Sequence, residues 1–397
     1  MCLFARLNPE TRRILDGIPA LIDKTFPLPG RFRSALPADV AELSRLLTSG
    51  RGERSLSYLG RPNLLSAYLR YFLPWNLYRL CRLLPGLPIS LAANNAVTDL
   101  GCGPLTFCAA LWISRPDLRN IPLEFRCVDR SGPALEAGKK FFSALAGGSP
   151  WKTIIVKGDF SAGAVSGGRG TAFALKRKPA LVCAVNVFNE NYDGIAQRNT
   201  EDFARSAKVA ARLLDGFAGA GTSVLVVEPG VPRSGQFISL LREALIEHKR
   251  PLSPCPHEEA CPFPGGVSRT GKNRWCHFAF ETDDAPRPLH RLSALAGIPK
   301  ERAVLSFLLA GPALPSAPAP VIAQSAAPET PVRLISGAFP LPDRRFGRYG
   351  CSKRGLVLIA GEKKTIEASA SGSLIKAVFP PGEQRDPKSK ALMALIS

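Results

Sequence analysis

Three cysteines and two histidines fall inside one short, proline-rich stretch of a chain that holds ten cysteines and four histidines in all. "CPHEEACPFPGG" runs from Cys255 through His257 and Cys261, and "RWCHF" adds Cys276 and His277 a little further on. Five and then fourteen residues separate the three cysteines. Proline follows the first two directly, fixing φ and removing a competing amide, which helps a loop turn thiolates toward one point. A stretch this polar does not bury cysteines as ordinary core, so metal ligation is the expectation. A fourth ligand would come from His257, His277 or a distant cysteine, of which Cys351 in "RYGCSKRG" is the best placed. Four thiolates suit a [4Fe–4S] cluster and three with a histidine suit structural zinc; spacing alone leaves the two even. The remaining cysteines, Cys2, Cys81, Cys102, Cys108, Cys127 and Cys183, are scattered through mostly apolar surroundings and read as structural.

A second constellation is "DLGCGP", which follows an apolar run and opens a helix. Gly101 and Gly103 let the backbone turn sharply and approach a ligand that a Cβ would exclude. The loop is not of the G-x-x-x-x-G-K-[ST] type that cradles phosphates. Asp129 in "RCVDRS" ends the next strand, where it could accept hydrogen bonds from a ribose, and Asp159 in "KGDF" ends the third, near an adenine edge. Acid-ended strands in series favour S-adenosylmethionine over NAD or ATP, with Asp99, Gly101, Gly103, Asp129 and Asp159 as the cofactor-binding candidates. Methyl transfer by in-line displacement is mostly positioning. After the fourth strand the chain reads "NVFNEN", in place of the Asn/Asp-Pro-Pro-aromatic motif of base-amine methyltransferases. Asn189 and Glu190 there are the candidates to orient an acceptor or take a proton. No Pro-Cys step marks a cytosine-C5 mechanism.

These residues need elements to hold them. From about 94 to 250 strand, turn and helix alternate: "AVTDLGCGP", "LEFRCVDRSG", "KTIIVKGDF", "ALVCAVNVF" and "TSVLVVEPG" are the strands. Such alternation predicts an α/β fold with a parallel sheet wrapped by helices. The expected organisation is a basic helical region over 1–90, a cofactor-binding core over 91–250, a Cys-rich segment with the remaining core strands over 251–308, a Pro/Ala-rich linker over 309–331, and a basic β-rich module over 332–397. The formal charge of +20 predicts a polyanionic partner. Residues 1–90 hold 13 Lys/Arg against 6 Asp/Glu, and 332–397 hold 12 against 5. Tyr58, Tyr68, Tyr71, Trp75 and Tyr78 are interleaved with the N-terminal basic residues, which suits either RNA stacking or a helical core. "YLRYFLPWNLYRLCRLLPGLP" likewise reads as a buried or RNA-facing helix pair. No apolar run approaches the roughly 20 residues that cross a bilayer, and the start lacks a secretory pattern, so an intracellular protein with no membrane role is expected.

In "LPADVAELSRLLTSGR", "YLGRPNLLSAYLRYFLPWN", "DLGCGPLT", "VDRSG", "VFNEN", "VLVVEPGVPRSGQFISLLREAL" and above all "PCPHEEACPF" and "WCHFAF", the chain resembles the methyltransferase-like proteins associated with the small ribosomal subunit in bacteria and mitochondria. The resemblance covers most of the chain. It implies a class I S-adenosylmethionine-dependent methyltransferase core, Rossmann-like, with the cofactor at Gly101, Gly103 and Asp129. It implies a [4Fe–4S] cluster on Cys255, Cys261, Cys276 and Cys351, with His257 and His277 as neighbours, and Glu228 in "VEPG" shaping the pocket. The implied partner is the small ribosomal subunit and its rRNA, in the cytoplasm of a bacterium or the matrix of a mitochondrion, by a protein that is monomeric when free. It would act as an rRNA methyltransferase, or as a non-catalytic RNA-binding assembly factor with an idle pocket; a small-molecule methyltransferase with structural zinc is the third reading. Leu105 stands where the family loop carries glycine, which predicts crowding at the cofactor site. The C-terminal part is also less regular than the family pattern.

Overall fold

The computed structural model describes residues 2–48, 50, 58–160, 177–190, 192, 199–263, 274–313, 329–380 and 382–396. Eight strands make one sheet: β1 (Ala96–Leu100), β2 (Glu124–Asp129), β3 (Lys152–Lys157), β4 (Leu181–Val185), β5 (Ser223–Pro229), β6 (Lys249–Ser253), β7 (Phe278–Glu281) and β8 (Arg302–Pro312). Their order is β3-β2-β1-β4-β5-β8-β6, with β7 also on β8. The first five strands pair in parallel and β8 runs against β5. One reversed strand between the fifth and sixth is the mark of the class I methyltransferase fold, and the predicted α/β core is borne out.

Every position of β1 is buried, as a parallel strand covered on both faces requires. On one face Val182, Ala184 and Val226 meet the helices Thr200–Phe217 and Pro232–Leu245. On the other, Val97, Phe125 and Leu225 meet the helices Thr106–Ser114 and Gly132–Leu145. The helix Thr106–Ser114 is apolar all round and buried except at Trp112, because a further helical layer lies outside it. That layer comes from the N-terminal region: the helix Pro9–Thr25 and the continuous helical run from Pro62 to Leu83, which widens into a π turn at Tyr68–Phe72 just before Pro74. Tyr71, Trp75 and Tyr78 are buried in it, so these aromatics are core and not an exposed stacking face. The arginine at position 82 is buried as well. It pairs with Asp284 at 2.8 Å and donates to the Ala5 carbonyl at 2.6 Å. Among the described residues no helix is long and apolar enough to cross a membrane.

β6 lies beside Pro312–Leu309 of β8, and β7 beside Leu305–Arg302 in the same direction. Only three residues of β8 separate their partners. The chain between Ser253 and Phe278 therefore leaves the sheet edge and returns to it, and the first three cysteines ride on that excursion. β8 extends to Pro312 and the next strand starts at Thr330, so both ends of the expected 309–331 linker are strand. Pairing with β5 and β6 outweighs the composition at the first end and pairing with Leu374–Val378 at the second, and 314–328 lies outside the described residues.

The C-terminal strands are β9 (Thr330–Leu334), β10 (Phe339–Pro340), β11 (Phe346–Ser352), β12 (Gly355–Gly361), β13 (Leu374–Val378) and β14 (Leu392–Ile396). Apart from the short β10, they close on themselves in the order β9-β11-β12-β14-β13-β9. β12 and β14 are parallel and the helix Lys363–Glu367 sits between β12 and β13. A closed five-stranded barrel of this order is the OB-fold. Val332, Leu334, Val357, Ile359, Ala377 and Ala394 fill it.

Candidate functional site

β1 runs into the glycine turn at the point where strand order reverses between β1 and β4, the usual ligand crevice of an open α/β sheet. Gly101 has φ +66°, and a Cβ there would lie 2.5 Å from the Val187 side chain; Gly103 has φ +52°. Leu105 is also left-handed, at φ 56°, which costs a non-glycine residue about 1–2 kcal/mol. Its side chain is fully buried against the helix Gly132–Leu145, where Gly138 leaves room: a Cβ on Gly138 would meet Leu105 Cδ1 at 2.7 Å. Leu105 does not line the cavity, so it crowds the core and not the cofactor site.

That cavity, of about 180 Å³, is lined by Tyr68, Gly101, Gly103, Asp129, Asp159 and Asn186 among others. Asp129 accepts from the amides of Gly103 at 2.9 Å and Ser131 at 2.7 Å, one on each oxygen. Burial raises its pKa and those two amides pull it back. Each oxygen keeps a second acceptor position for a ligand hydroxyl. Asp99 behaves differently. It is buried behind the loop and reaches only a small recess beside Tyr68, Asn76 and Thr106, so the structure does not bring it into the main cavity. Burial pushes its pKa up to about 8, and the Cys183 thiol donates to one of its oxygens at 3.4 Å.

Glu228 is fully buried at the end of β5 and pushed up to about 8 by burial. It accepts from the amides of Val187 at 3.1 Å and Phe188 at 2.8 Å and from the Tyr192 hydroxyl at 3.3 Å. Its role is thus to hold the segment after β4, where Asn186 itself sits at φ 57°. Asn189 and Glu190 follow in a short turn, and Glu190 is ion-paired with Arg130. A second cavity, of about 320 Å³, adjoins the first through Tyr68, Asn186 and Glu190 and is lined by Tyr71, Trp75, Asn189, Arg79 and Lys300. Sequence reasoning did not find Arg79 or Lys300: they lie far apart in the chain and carry no local motif.

The cysteines converge. Cys255, Cys261, Cys276 and Cys351 each lie close enough to the other three for their charges to interact. All four are free thiols, and burial raises each pKa, that of Cys255 to about 11. Cys351 arrives on β11, so the OB barrel contributes to a group that otherwise belongs to the sheet edge. His257 Nε2 is 3.0 Å from Cys351 Sγ. His277 instead stacks on Trp275, with ring centroids 4.5 Å apart, and its Nδ1 is 3.1 Å from the Trp275 carbonyl. Among the described residues, no group of three or more His, Cys, Asp or Glu side chains is arranged to hold a metal ion.

Two arginines that the sequence did not mark border this group. Arg242 donates to the carbonyls of His257 at 3.1 Å and Glu259 at 2.7 Å; Arg333 donates to Pro254 at 2.9 Å and Gly372 at 2.8 Å. Both are buried, and neither pairs with a carboxylate among the described residues. Arg242 acts on all four thiols and pulls each pKa back down. The Ser306 hydroxyl donates to the Cys276 carbonyl at 2.8 Å, anchoring the excursion to β8. Trp275 packs so closely on Gly235 that a Cβ there would lie 2.5 Å from its ring.

Residues 202–332 match the sequence profile of a family described as mitochondrial small ribosomal subunit Rsm22. The matched span carries Cys255, Cys261 and Cys276 and agrees with the resemblance read from "PCPHEEACPF" and "WCHFAF". No curated protein matches the chain. Among solved structures, the chain is similar to YjhP from E. coli at 16% identity and TM-score 0.25, over 40% of this chain and 51% of that one, so it spans about half of that relative's length. It is similar to a SAM-dependent methyltransferase from Geobacter sulfurreducens in complex with S-adenosyl-L-homocysteine (14% identity, TM-score 0.30, 60% and 91% covered). A SAM-dependent methyltransferase from Thiobacillus denitrificans, in the same kind of complex, gives 15%, 0.30, 60% and 92%. At these scores the fold rests on the strand order itself.

Proposed function

We propose that this protein binds S-adenosylmethionine in the cavity at the ends of β1, β2 and β4, carries a [4Fe–4S] cluster on Cys255, Cys261, Cys276 and Cys351, and acts on the RNA of the small ribosomal subunit. The observation that carries the reading is the meeting of four thiols from two folding units beside two buried guanidiniums that form no ion pair with a carboxylate among the described residues. A buried cation needs a counter-charge. A cluster held by four thiolates is anionic and supplies one. The resemblance carried by "PCPHEEACPF" and "WCHFAF" favours the cluster over zinc. His257 would neighbour the cluster through Cys351. When bound, the cluster ties the barrel to the sheet edge, and S-adenosylmethionine supplies a transferable methyl. This chain's own residues hold the nucleoside: Gly101 and Gly103 allow its approach, and Asp129 and Asp159 accept its hydroxyl and amine hydrogens.

The family match and the +20 charge support the small ribosomal subunit as partner. So does the C-terminal OB barrel, a fold that binds single strands through charge and stacking. One observation favours an assembly factor whose pocket does no chemistry: Glu190, the carboxylate nearest the acceptor side, is already ion-paired with Arg130. The experiment is direct. Purified protein is titrated with S-adenosylhomocysteine and then incubated with methyl-labelled S-adenosylmethionine and small-subunit RNA. Micromolar binding that Asp129→Asn weakens at least tenfold is expected. Label in the RNA selects the enzyme. Binding without label, with co-sedimentation on subunit precursors that persists in Asp129→Asn, selects the assembly factor. No cofactor binding at all would sink the first part of the proposal.

A further inference from the structure

The second cavity has an unusual electrostatic character. Arg79 and Lys300 both line it, and each is lowered in pKa, Arg79 to about 10 and Lys300 to about 8. Burial is the main cause for both, and for Lys300 the charge of Arg79 is the second. Two like charges are thus held together in a half-buried place, an arrangement that an anion between them would stabilise. The protein supplies none at contact. Among the described residues neither side chain has a carboxylate partner, and Arg79 Nε is buried without a hydrogen bond. Glu228 lies near enough to attract Arg79, yet its oxygens are taken up by the Val187 and Phe188 amides and the Tyr192 hydroxyl. Glu190 pairs with Arg130. Lys300 instead rests on aromatic faces, 5.9 Å from the Tyr71 ring and 6.0 Å from Trp75.

The rest of the lining fits an aromatic, hydrogen-bonding ligand. Tyr58, Tyr68 and Phe72 offer rings, and Asn76, Asn186 and Asn189 offer amides that can both donate and accept. The cavity joins the cofactor pocket at Tyr68, Asn186 and Glu190, so a ligand here would face whatever that pocket holds.

We propose that the second cavity is a nucleotide-binding site that takes a phosphorylated nucleotide, its phosphate between Lys300 and Arg79 and its base among the rings and amides toward the cofactor pocket. As an acceptor site this rests on the cofactor reading above; as a binding site it does not. The nucleotide would come either from a strand, turned out of its stack as enzymes that modify bases require, or free in solution.

The test uses the full chain and the four ribonucleoside 5′-monophosphates, the matching nucleosides and inorganic phosphate, followed by calorimetry. At least one monophosphate is expected to bind, at least tenfold more tightly than its nucleoside, with phosphate competing. Lys300→Gln is expected to cut that affinity at least tenfold, and Lys300→Arg to restore most of it, while S-adenosylhomocysteine affinity stays the same in both variants. A short single-stranded RNA that displaces the monophosphate identifies the strand as the source; a monophosphate that RNA leaves in place identifies the free nucleotide. Equal affinity for nucleoside and monophosphate, no monophosphate binding, or binding indifferent to Lys300→Gln would overturn the proposal. Monophosphate binding in a protein that ignores S-adenosylhomocysteine would leave the site standing and remove the cofactor reading.

Discussion

Cys102 in the glycine loop and Cys108, Cys127 and Cys183 beneath it form one group of sulfurs, while Cys255, Cys261, Cys276 and Cys351 gather between the sheet edge and the barrel. In both groups each sulfur lies within electrostatic reach of at least one other. Proximity of thiols therefore does not distinguish them. What differs is the balance of charge nearby, since among the described residues beside the second group only the Glu243 carboxylate opposes the arginines, at Cys261. The first group is buried, and beside that burial the charge of Asp99 raises the pKa of Cys102, Cys108 and Cys183 further, with Asp129 adding to it at Cys102. The second lies mostly on a loop, partly open, with Arg242 acting on all four sulfurs and Arg333 on three. Nearby cations favour the thiolate and nearby carboxylates the thiol. Under the proposed function, one group is packing and the other is a ligand set.

The largest effect should come from removing a sulfur in the second group. In Cys276→Ser, protein purified without oxygen should drop from about four irons per chain to below one, and its Tm should fall by about 10 °C, because the proposed cluster would join two folding units. Elemental analysis and a thermal melt check it. A smaller effect, about 3 kcal/mol in urea unfolding, is expected for Arg242→Met, which leaves an anionic group buried without its counter-charge. Iron in that variant should be lost to a chelator faster than from the parent protein. Cys183→Ala should cost only about 1 kcal/mol and leave iron unchanged; loss of iron in this variant would erase the contrast between the two groups.

The mildest test is of pH. Asp99 has an ordinary pKa of 3.8, and burial pushes it up to about 8 in the folded chain. Holding it protonated stabilises the fold fully below pH 3.8, and that contribution is lost as pH rises through about 8. Asp99→Asn, neutral throughout, should flatten the fall of Tm between pH 5 and 8 by a few degrees.

Much of this was legible from the chain because it is local. Strand, turn and helix repeat within thirty-residue units, and Gly101, Gly103, Asp129 and Asp159 reach their cavity through the ends of their own strands. Three of the four cysteines share one stretch. Cys351 could be singled out only because it is the single cysteine beyond the Pro/Ala-rich stretch. The rest is assembled across distance. Arg242 comes from a helix and Arg333 from β9, and nothing near either residue announces a thiolate. Arg79 and Lys300 meet only because the N-terminal layer folds back over the sheet. The OB barrel closes through β9 pairing with β11, a register that no alternation of side chains could specify. Tyr71, Trp75 and Tyr78 left two readings open for another reason: basic and aromatic residues interleave in the same way on an RNA-facing helix and on one whose arginine, like Arg82, is buried in an ion pair.

The measurement that bears most directly on the central claim is iron and acid-labile sulfide in the full chain purified without oxygen, with electron paramagnetic resonance after reduction. About four irons and about four sulfides per chain, absent from a Cys255→Ser variant, are expected. Iron-free protein in which all four sulfurs alkylate as ordinary thiols under native conditions would contradict it.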